Sequence, residues 1–170
     1  LNISGAIGQQ NATTTGLGLF KTGPGVLQLS GTTPNTYAGT TSVFEGTLEL
    51  NKTAGVDAIL GTLTIGNDAG SQNSDVVRLL AADQINNAAQ VQVTPSGQLD
   101  LGANNESLGN AAQTGLNFFL GITTSPQVTT TTGVLTLLTG VGIQTQLSGG
   151  IAAATTSSPG ARIIGNLNLG

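Results

Sequence analysis

The sequence predicts an all-β fold, a parallel β-helix or solenoid that forms one domain over residues 1–170. Two observations support this prediction. The first is a five-residue pattern in which a glycine precedes alternating aliphatic and polar residues, which is typical of a strand with one buried face. The pattern occurs six times, at residues 25–29, 46–50, 61–65, 97–101, 133–137 and 165–169.

The second observation is the regular spacing of this pattern. Gly25, Gly61, Gly97 and Gly133 are each separated by 36 residues. A period in this range is typical of stacked supersecondary units that bury their apolar faces against their neighbours. If each period holds two coils of ~18 residues, the chain forms roughly eight or nine coils and a stack ~40 Å tall. An antiparallel β-sandwich, which also has short strands separated by turns, is the alternative fold.

The individual elements follow from local composition. Strands are expected where aliphatic and polar residues alternate, and turns where glycine, proline and small polar residues cluster. Residues 23–25 form a tight turn, because proline presets φ and glycine accepts positive φ. The expected strands span residues 1–8, 17–20, 26–29, 46–50, 63–65, 76–80, 91–93, 97–101, 116–118, 133–137 and 165–169. Residues 41–44 lead into the strand at 46–50, and residues 128–138 are rich in threonine. Polar connections are expected at 9–15, 32–39, 52–60, 67–74 and 151–159.

One segment has the composition of a helix. Residues 76–80 begin with two valines, which suit a strand, whereas residues 81–89 are rich in alanine. Alanine has the highest helix propensity, while β-branched residues favour strands. We therefore expect a strand followed by a short helical turn over residues 81–89.

Stacked coils would align equivalent residues in columns. Two aliphatic ladders are expected to fill the interior, formed by Leu27, Leu29, Leu48, Leu50, Leu63, Ile65, Leu99, Leu101, Leu135, Leu137, Leu167 and Leu169. The position between the ladders would face water and reads Gln28, Glu49, Thr64, Asp100, Thr136 and Asn168. No two charged residues are consecutive in this series, so like charges are not stacked at strand spacing.

Composition argues against several functional classes. Charged residues make up 7% of the chain and aromatic residues 3%, and the net charge is -4. Nucleic-acid binding is not expected, because it requires clustered basic residues and the four present, Lys21, Lys52, Arg78 and Arg162, are scattered. Without Cys or His, the chain has no disulfides and no His-based or Cys-based triad or zinc site. No apolar run reaches the ~18 residues of a membrane-spanning helix, so membrane insertion of this segment is not expected.

No catalytic, cofactor-binding or metal-binding residues are expected, and the chain is predicted not to be an enzyme. The glycines before Lys21 do not form a phosphate loop, because Phe20 occupies the position that requires glycine. Glu45 and Glu49 are better interpreted as solvated surface carboxylates than as a glycosidase pair. Asp68 and Asp75, in an oxygen-rich loop, are candidate calcium ligands, but a plain polar turn is preferred because the loop lacks the rhythm of calcium-binding rolls.

Several short segments between residues 16 and 50 carry a family resemblance: Lys21-Thr22-Gly23, Leu27-Gln28-Leu29-Ser30-Gly31, Asn35-Thr36-Tyr37, Gly39-Thr40-Thr41 and Gly46-Thr47-Leu48. They resemble the autotransporter-associated β-strand repeat, and the match covers about a fifth of the chain. Residues 57–109 are more loosely similar to segments between such repeats. The resemblance implies a right-handed parallel β-helix in a secreted passenger or cell-surface protein of bacteria. Phe44 and the insertion at residues 32–34 depart from the pattern.

These observations favour a non-enzymatic extracellular structural module, such as a surface stalk, an adhesin scaffold or a fibre-forming unit. The alternative is a carbohydrate-binding or polysaccharide-processing β-helix, whose sugar site would need aromatic side chains from Tyr37, Phe20, Phe44, Phe118 and Phe119. Expected partners are neighbouring repeats or copies stacked end to end, with host-surface or matrix glycans as further candidates. Both ends of the sequence read as uncapped strands, so we expect a segment or repeat unit of a longer chain or filament.

Overall fold

The computed structural model describes residues 1–9, 16–109, 115–121, 124–138, 143–147 and 160–169. Within these ranges the protein contains fourteen strands and no helix. The strands are β1 (Asn2–Ile3), β2 (Leu19–Lys21), β3 (Val26–Gly31), β4 (Thr41–Val43), β5 (Gly46–Lys52), β6 (Leu63–Ile65), β7 (Asp75–Leu79), β8 (Val91–Val93), β9 (Gly97–Gly102), β10 (Glu106–Leu108), β11 (Leu116–Leu120), β12 (Gln127–Leu137), β13 (Ile143–Leu147) and β14 (Arg162–Asn168). None of the described residues forms a helix long and apolar enough to cross a membrane. Most of the connections expected at residues 9–15 and 151–159 lies outside these ranges.

The strands form two parallel sheets. The first sheet has the order β1-β3-β5-β7-β9-β12-β10, with β14 beside β12, and the second has the order β13-β11-β8-β6-β4-β2. The chain alternates between the sheets except at β9 and β10, which both belong to the first sheet. Every described pairing between strands is parallel. Strand β12 spans two strands of the preceding coil, because its first half pairs with β9 and its last residues pair with β10. The prediction of a parallel β-helix is confirmed, and the antiparallel sandwich is wrong.

The coils differ in length from the prediction. Val26 lies opposite Thr47, 21 residues later, and Thr47 lies opposite Val76 after a further 29 residues. The described part of the second sheet accordingly contains six strands, fewer than eight or nine coils would supply. The spacing of 36 residues is therefore not a multiple of one fixed coil length.

Besides the two sheets, the coils have a third side, made of residues that belong to neither sheet. It consists of corner segments that bond to one another through their backbones instead of forming long strands. Asn35 N–H donates to Asp57 O at 3.0 Å, Ala58 N–H donates to Gln84 O at 2.8 Å, and Asn86 N–H donates to Ile59 O at 2.8 Å. Ile59 and Ile85 form an isolated parallel bridge at this side. The cross-section therefore has three sides, of which two carry regular sheets.

Aliphatic residues fill the interior, but the repeated pattern divides between the two sheets. Leu27, Leu48 and Val77 are aligned in the first sheet and are buried. Leu63 and Ile65 belong to the second sheet, where Ile65 lies opposite Val43. The six occurrences of the pattern therefore do not form one pair of ladders, and the predicted interior set is partly wrong.

The last occurrence of the pattern lies at the surface. Leu167 is 38% exposed and Leu169 is 71% exposed. Strand β14 has one neighbour among the described strands, β12, so a single coil contacts these leucines. Their predicted burial is therefore wrong in this structure.

The expected helical turn over residues 81–89 is also wrong. These residues form bends and turns, with Asp83 at a positive φ of 51°. The Asn86 side chain accepts a hydrogen bond from Ala88 N–H at 3.0 Å, and Ile85 is buried in its bridge to Ile59. Asp and Asn side chains compete with helical hydrogen bonds through such local contacts, and here this effect outweighs the propensity of the alanines.

The glycine that opens the repeated pattern has a steric reason, which Gly46 and Gly97 illustrate. Gly46 has a positive φ of 75°, and a Cβ there would lie 2.6 Å from the carbonyl oxygen of Gly23 on the preceding coil. A Cβ on Gly97 would lie 2.2 Å from the carbonyl oxygen of Ile65. Consecutive turns of backbone approach each other closely at these two glycines, where β5 and β9 begin.

Candidate functional site

The outer face of the first sheet carries a ladder of polar and charged side chains. Gln28, Glu49, Arg78 and Asp100 occupy aligned positions on four successive strands. Gln28 Nε2 donates to Glu49 Oε2 at 3.0 Å, and Arg78 Nε donates to Asp100 Oδ2 at 3.0 Å. Arg78 therefore separates two carboxylates that would otherwise repel.

This ladder corrects the predicted outward series. Thr64 belongs to the second sheet, and Arg78, which the repeated pattern does not include, occupies the place between Glu49 and Asp100. The Arg78 side chain is 45% exposed, and exposed ion pairs of this kind contribute little to stability. The four aligned side chains carry a net charge of -1, with Arg78 between the two carboxylates.

A second group of polar residues is buried inside the corner of the coils. Lys52, Gln84 and Glu106 follow one another on three successive coils, and each bonds to the backbone of the coil before it. Lys52 Nζ donates to Ser30 O at 3.0 Å and to Thr33 O at 2.8 Å. Gln84 Oε1 accepts from Lys52 N–H at 2.7 Å, and Glu106 Oε2 accepts from Gln84 N–H at 2.8 Å. We call Lys52, Gln84 and Glu106 the corner column.

Burial shifts the proton affinity of both ionisable members of the corner column. Burial raises the pKa of Glu106 to about 8, although the hydrogen bonds from the N–H groups of Gln84 and Ile85 act in the opposite direction. Burial also lowers the pKa of Lys52. Because the Lys52 ammonium bonds to backbone carbonyl oxygens and Glu106 accepts from backbone N–H groups, both side chains satisfy corner groups that the sheets leave unpaired.

The sequence analysis did not single out Glu106 as an interior residue. A signal was present, since Glu106 and Leu108 are separated by one residue and alternation places them on the same side of a strand. Both are fully buried. A charged residue in an inward position is easily interpreted as a break in the pattern, which is why this one was missed.

The residues that carry the family resemblance are also structural. Asn35 joins three coils, because its Oδ1 accepts from Ile7 N–H at 2.9 Å and its Nδ2 donates to Ala58 O at 2.7 Å. Tyr37 is 3% exposed, and its hydroxyl is hydrogen-bonded to Thr41 Oγ1 at 2.6 Å. Tyr37 therefore offers no surface on which a sugar could stack.

Lys21 and Glu45 hold the tight turn at residues 23–25. Lys21 Nζ donates to Gly23 O at 2.6 Å and to Glu45 O at 2.8 Å, while Glu45 Oε2 accepts from Gly23 N–H at 2.9 Å. Lys21 is buried, and its ammonium caps turn carbonyl oxygens. The tight turn predicted at residues 23–25 is confirmed, whereas Leu19–Lys21, in the segment compared with a phosphate loop, forms strand β2.

The two candidate calcium ligands lie in different environments. Asp68 is exposed on the loop with a positive φ of 62°, whereas Asp75 is buried at the start of β7. Asp75 Oδ1 accepts from Ser74 Oγ at 3.1 Å, and its Oδ2 has no hydrogen-bond partner. Burial raises the pKa of Asp75, while Ser96 and Ser74 lower it. Among the described residues, no three His, Cys, Asp or Glu side chains come together to hold a metal ion.

Two surface clefts border these features. One, of about 550 Å³, is lined by Gly55, Asp57, Asp83, Ile85, Asn86, Asn87, Ala88 and Ser107. The other, of about 400 Å³, is lined by Phe44, Glu45, Asn67, Ala69, Gly70, Ser71, Ser74 and Asp75. We call the second one the Phe44 cleft.

Comparison with known proteins identifies one segment of the chain. Residues 19–50 match the family model described as the passenger-associated-transport-repeat. This segment runs from β2 to β5 and contains Asn35 and Tyr37, so the suspected passenger repeat is confirmed over these residues. No curated protein and no solved structure matches the chain.

Proposed function

We propose that this chain is a non-enzymatic structural module of a secreted or surface-exposed passenger-type protein, in which it serves as a stalk, an adhesin scaffold or a fibre-forming unit. The passenger-associated-transport-repeat at residues 19–50 supports the export part of this proposal. The parallel β-helix supports the mechanical part, since each coil contacts its neighbours along two sheets.

The observation that carries the proposal is the use of reactive side chains as internal bonds between coils. Lys52 reaches back to the carbonyl oxygens of Ser30 and Thr33, and Glu106 reaches back to the N–H of Gln84. Lysine and glutamate residues that occupy such positions are not available to a substrate. They do resist separation of one coil from the next, which is what an extended scaffold requires.

Single-molecule force spectroscopy tests this role directly. A scaffold held by bonds between coils should unravel in discrete steps that each release one coil. Coils of 21 and 29 residues, as between Val26, Thr47 and Val76, correspond to length increments of about 70 and 100 Å. A single step that releases the whole chain, or extension at forces too small to detect, would contradict a load-bearing role.

Surface exposure can be tested with one introduced thiol, because the natural chain has no cysteine. Thr32 is exposed on the turn after β3, so Thr32→Cys provides a single reactive site. A membrane-impermeant maleimide should label this variant on intact cells that produce the full-length protein. The buried position Leu50→Cys serves as the matched control that should stay unlabelled. Labelling of Thr32→Cys only after cell lysis would refute a surface location.

We further propose that neighbouring repeats or copies contact this module at the two ends of the coil stack. Apolar side chains are exposed near both ends, including Phe20 and Val26 at one end and Ile164 and Leu167 at the other. Burial of this surface against a further coil would stabilise the contact. Sedimentation velocity should detect concentration-dependent association that Ile164→Lys weakens. A monomer at every concentration tested would rule out stacking of copies.

A further inference from the structure

The four basic residues of the chain mark the bonds that a protease with an acidic specificity pocket can cleave. They are Lys21, Lys52, Arg78 and Arg162. Such a protease encloses the basic side chain and binds the segment around the cleaved bond as an extended strand, through free backbone N–H and C=O groups. Both the head of the side chain and the backbone of the residue must therefore be accessible.

The two lysines are sequestered by carbonyl oxygens. Lys21 is 6% exposed, and its Nζ donates to Gly23 O at 2.6 Å and to Glu45 O at 2.8 Å. Lys52 is 1% exposed and is held by the bonds of the corner column. Either lysine can enter a protease pocket only after its own coil has opened.

Arg78 is accessible at its head but not along its backbone. Its side chain is 45% exposed and is paired with Asp100 at 3.0 Å. Strand β7 has neighbours on both sides, so that Glu49 of β5 and Asp100 of β9 lie opposite Arg78. The peptide bond after Arg78 is therefore protected for as long as these three strands stay paired.

Arg162 has an exposed side chain on a strand with one described neighbour. Its guanidinium forms no hydrogen bond or ion pair with the residues that the structure describes. Strand β14 pairs with β12 alone among the described strands, and Arg162 lies opposite Gln127. The other edge of β14 leaves N–H and C=O groups free for pairing with a further strand.

The pairing of β14 with β12 is interrupted shortly after Arg162. Ile164 lies opposite Thr129, whereas Asn166 lies opposite Val134, so Gly165 alone faces residues 130–133. Gly165 has a positive φ of 125°. Residues 162–164 are thus a three-residue stretch of ladder that ends at an irregularity. Opening this stretch requires less structure to separate than opening a strand with two neighbours.

We propose that the Arg162–Ile163 bond is a processing site for an extracellular protease that cleaves after basic residues. Hydrolysis breaks the bond between the carbonyl carbon of Arg162 and the nitrogen of Ile163, consumes one water molecule, and leaves a carboxylate on Arg162 and an amino group on Ile163. The cut separates the coils before β14 from Ile164 and Leu167, the apolar residues exposed at this end. Cleavage goes beyond the scaffold role and does not depend on it, because it requires neither export nor load.

Limited digestion of the intact chain with trypsin, followed by mass spectrometry, tests the proposal. The protein is kept dilute, so that stacked copies do not cover β14. The first cut should fall after Arg162 and should be at least about tenfold faster than the cuts after the other three basic residues. A protease that cleaves after lysine alone should leave the folded chain intact and should cut it in urea.

Variants at exposed positions separate the role of the side chain from that of the strand. Arg162→Gln should abolish the early cut, and Arg162→Lys should make the same bond a substrate for the lysine-specific protease. Asp100→Asn is the matched control, because it frees the head of Arg78 while β7 keeps both neighbours, so no early cut should appear there. A first cut after Lys21, Lys52 or Arg78, or no cut after Arg162 before the chain unfolds, would overturn the proposal.

Processing of the natural protein is tested on the cells that produce it. Mass spectrometry of the medium and of the cell surface should find a fragment that ends at Arg162, and an inhibitor of trypsin-like proteases should remove this fragment. Absence of the fragment would refute processing, whereas labelling of Thr32→Cys on the same cells would still support a surface location. Failure of this inference is therefore distinguishable from failure of the proposed function.

Discussion

Replacement of Glu106 by glutamine should change how the stability of the protein depends on pH. Glu106 is fully buried, and its Oε2 accepts from the N–H groups of Gln84 and Ile85 at 2.8 and 3.2 Å. Its Oε1 accepts from Ser107 N–H at 3.2 Å. Glutamine has nearly the same shape and cannot ionise, so the stability of Glu106→Gln should lack the pH dependence that this carboxyl contributes.

The sign of the effect follows from the raised pKa. Burial raises the pKa of Glu106 from 4.5 to about 8, so the folded protein retains a proton that the unfolded chain releases between these values. The stability contributed by this proton is fully present below pH 4.5 and is lost as the pH rises towards 8. At about 1.4 kcal/mol per pH unit, the loss amounts to about 5 kcal/mol across the window. This is comparable with the entire free energy of unfolding of many domains.

Urea unfolding followed by far-ultraviolet circular dichroism at pH 5, 6, 7 and 8 measures this dependence. The free energy of unfolding of the natural protein should fall as the pH rises, and the slope should be smaller in Glu106→Gln. The variant should be less stable at pH 5, because its amide N–H₂ opposes Ser107 N–H, and more stable at pH 8. Glu49→Gln, which alters a carboxylate on the outer face, is the matched control and should keep the natural slope. Equal slopes in the natural protein and Glu106→Gln would refute the reasoning.

Three further predictions concern stability and are measured by urea unfolding at pH 7. Leu50→Ala should lose about 2–5 kcal/mol, because Leu50 is fully buried in the first sheet and its truncation leaves a cavity; a loss below 1 kcal/mol would contradict its place in the core. Gly46→Ala should destabilise the protein by at least about 1 kcal/mol, because Gly46 has a positive φ and the new Cβ would clash with the carbonyl oxygen of Gly23. Gly25→Ala should not destabilise it, because the space around a Cβ at Gly25 is open. Arg78→Ala should cost less than about 1 kcal/mol and the cost should shrink in high salt, since the ion pair is partly exposed; a large, salt-independent loss would show that Arg78 has another role.

The sequence was informative about the sheets because alternation reports directly which face of a strand is buried. Strands β3, β5, β9 and β12 lie where the glycine-led pattern predicts them. The pattern did not distinguish the two sheets, because Leu63 and Ile65 alternate with polar residues in the same way as Leu48 and Leu50. Which sheet a strand joins depends on the length of the corner that precedes it, and the corners have no fixed period.

The candidate site was less predictable than the fold. The aromatic residues were named from composition, but their exposure depends on neighbours that are remote in sequence. Tyr37 is buried by its contact with the coil interior and with Thr41, whereas Phe44 is half-buried beside the exposed Phe20 ring of the preceding coil. The inward positions of Lys52 and Glu106 were missed for a related reason, since charged residues are rarely fully buried without partners and their partners here are backbone groups of other coils.

Because the coils are unequal in length, the axial length of the stack does not depend on the number of residues in each coil. Axial length depends on the number of strands in a sheet, at ~4.8 Å per strand, and is unaffected when a corner gains or loses residues. The segment between Gly66 and Asp75 lengthens one coil and, at the same time, supplies most of the wall of the Phe44 cleft. Insertions at the corners can thus reshape the surface clefts while the axial length of the stack stays constant, so the length and the surface shape of the molecule can change independently.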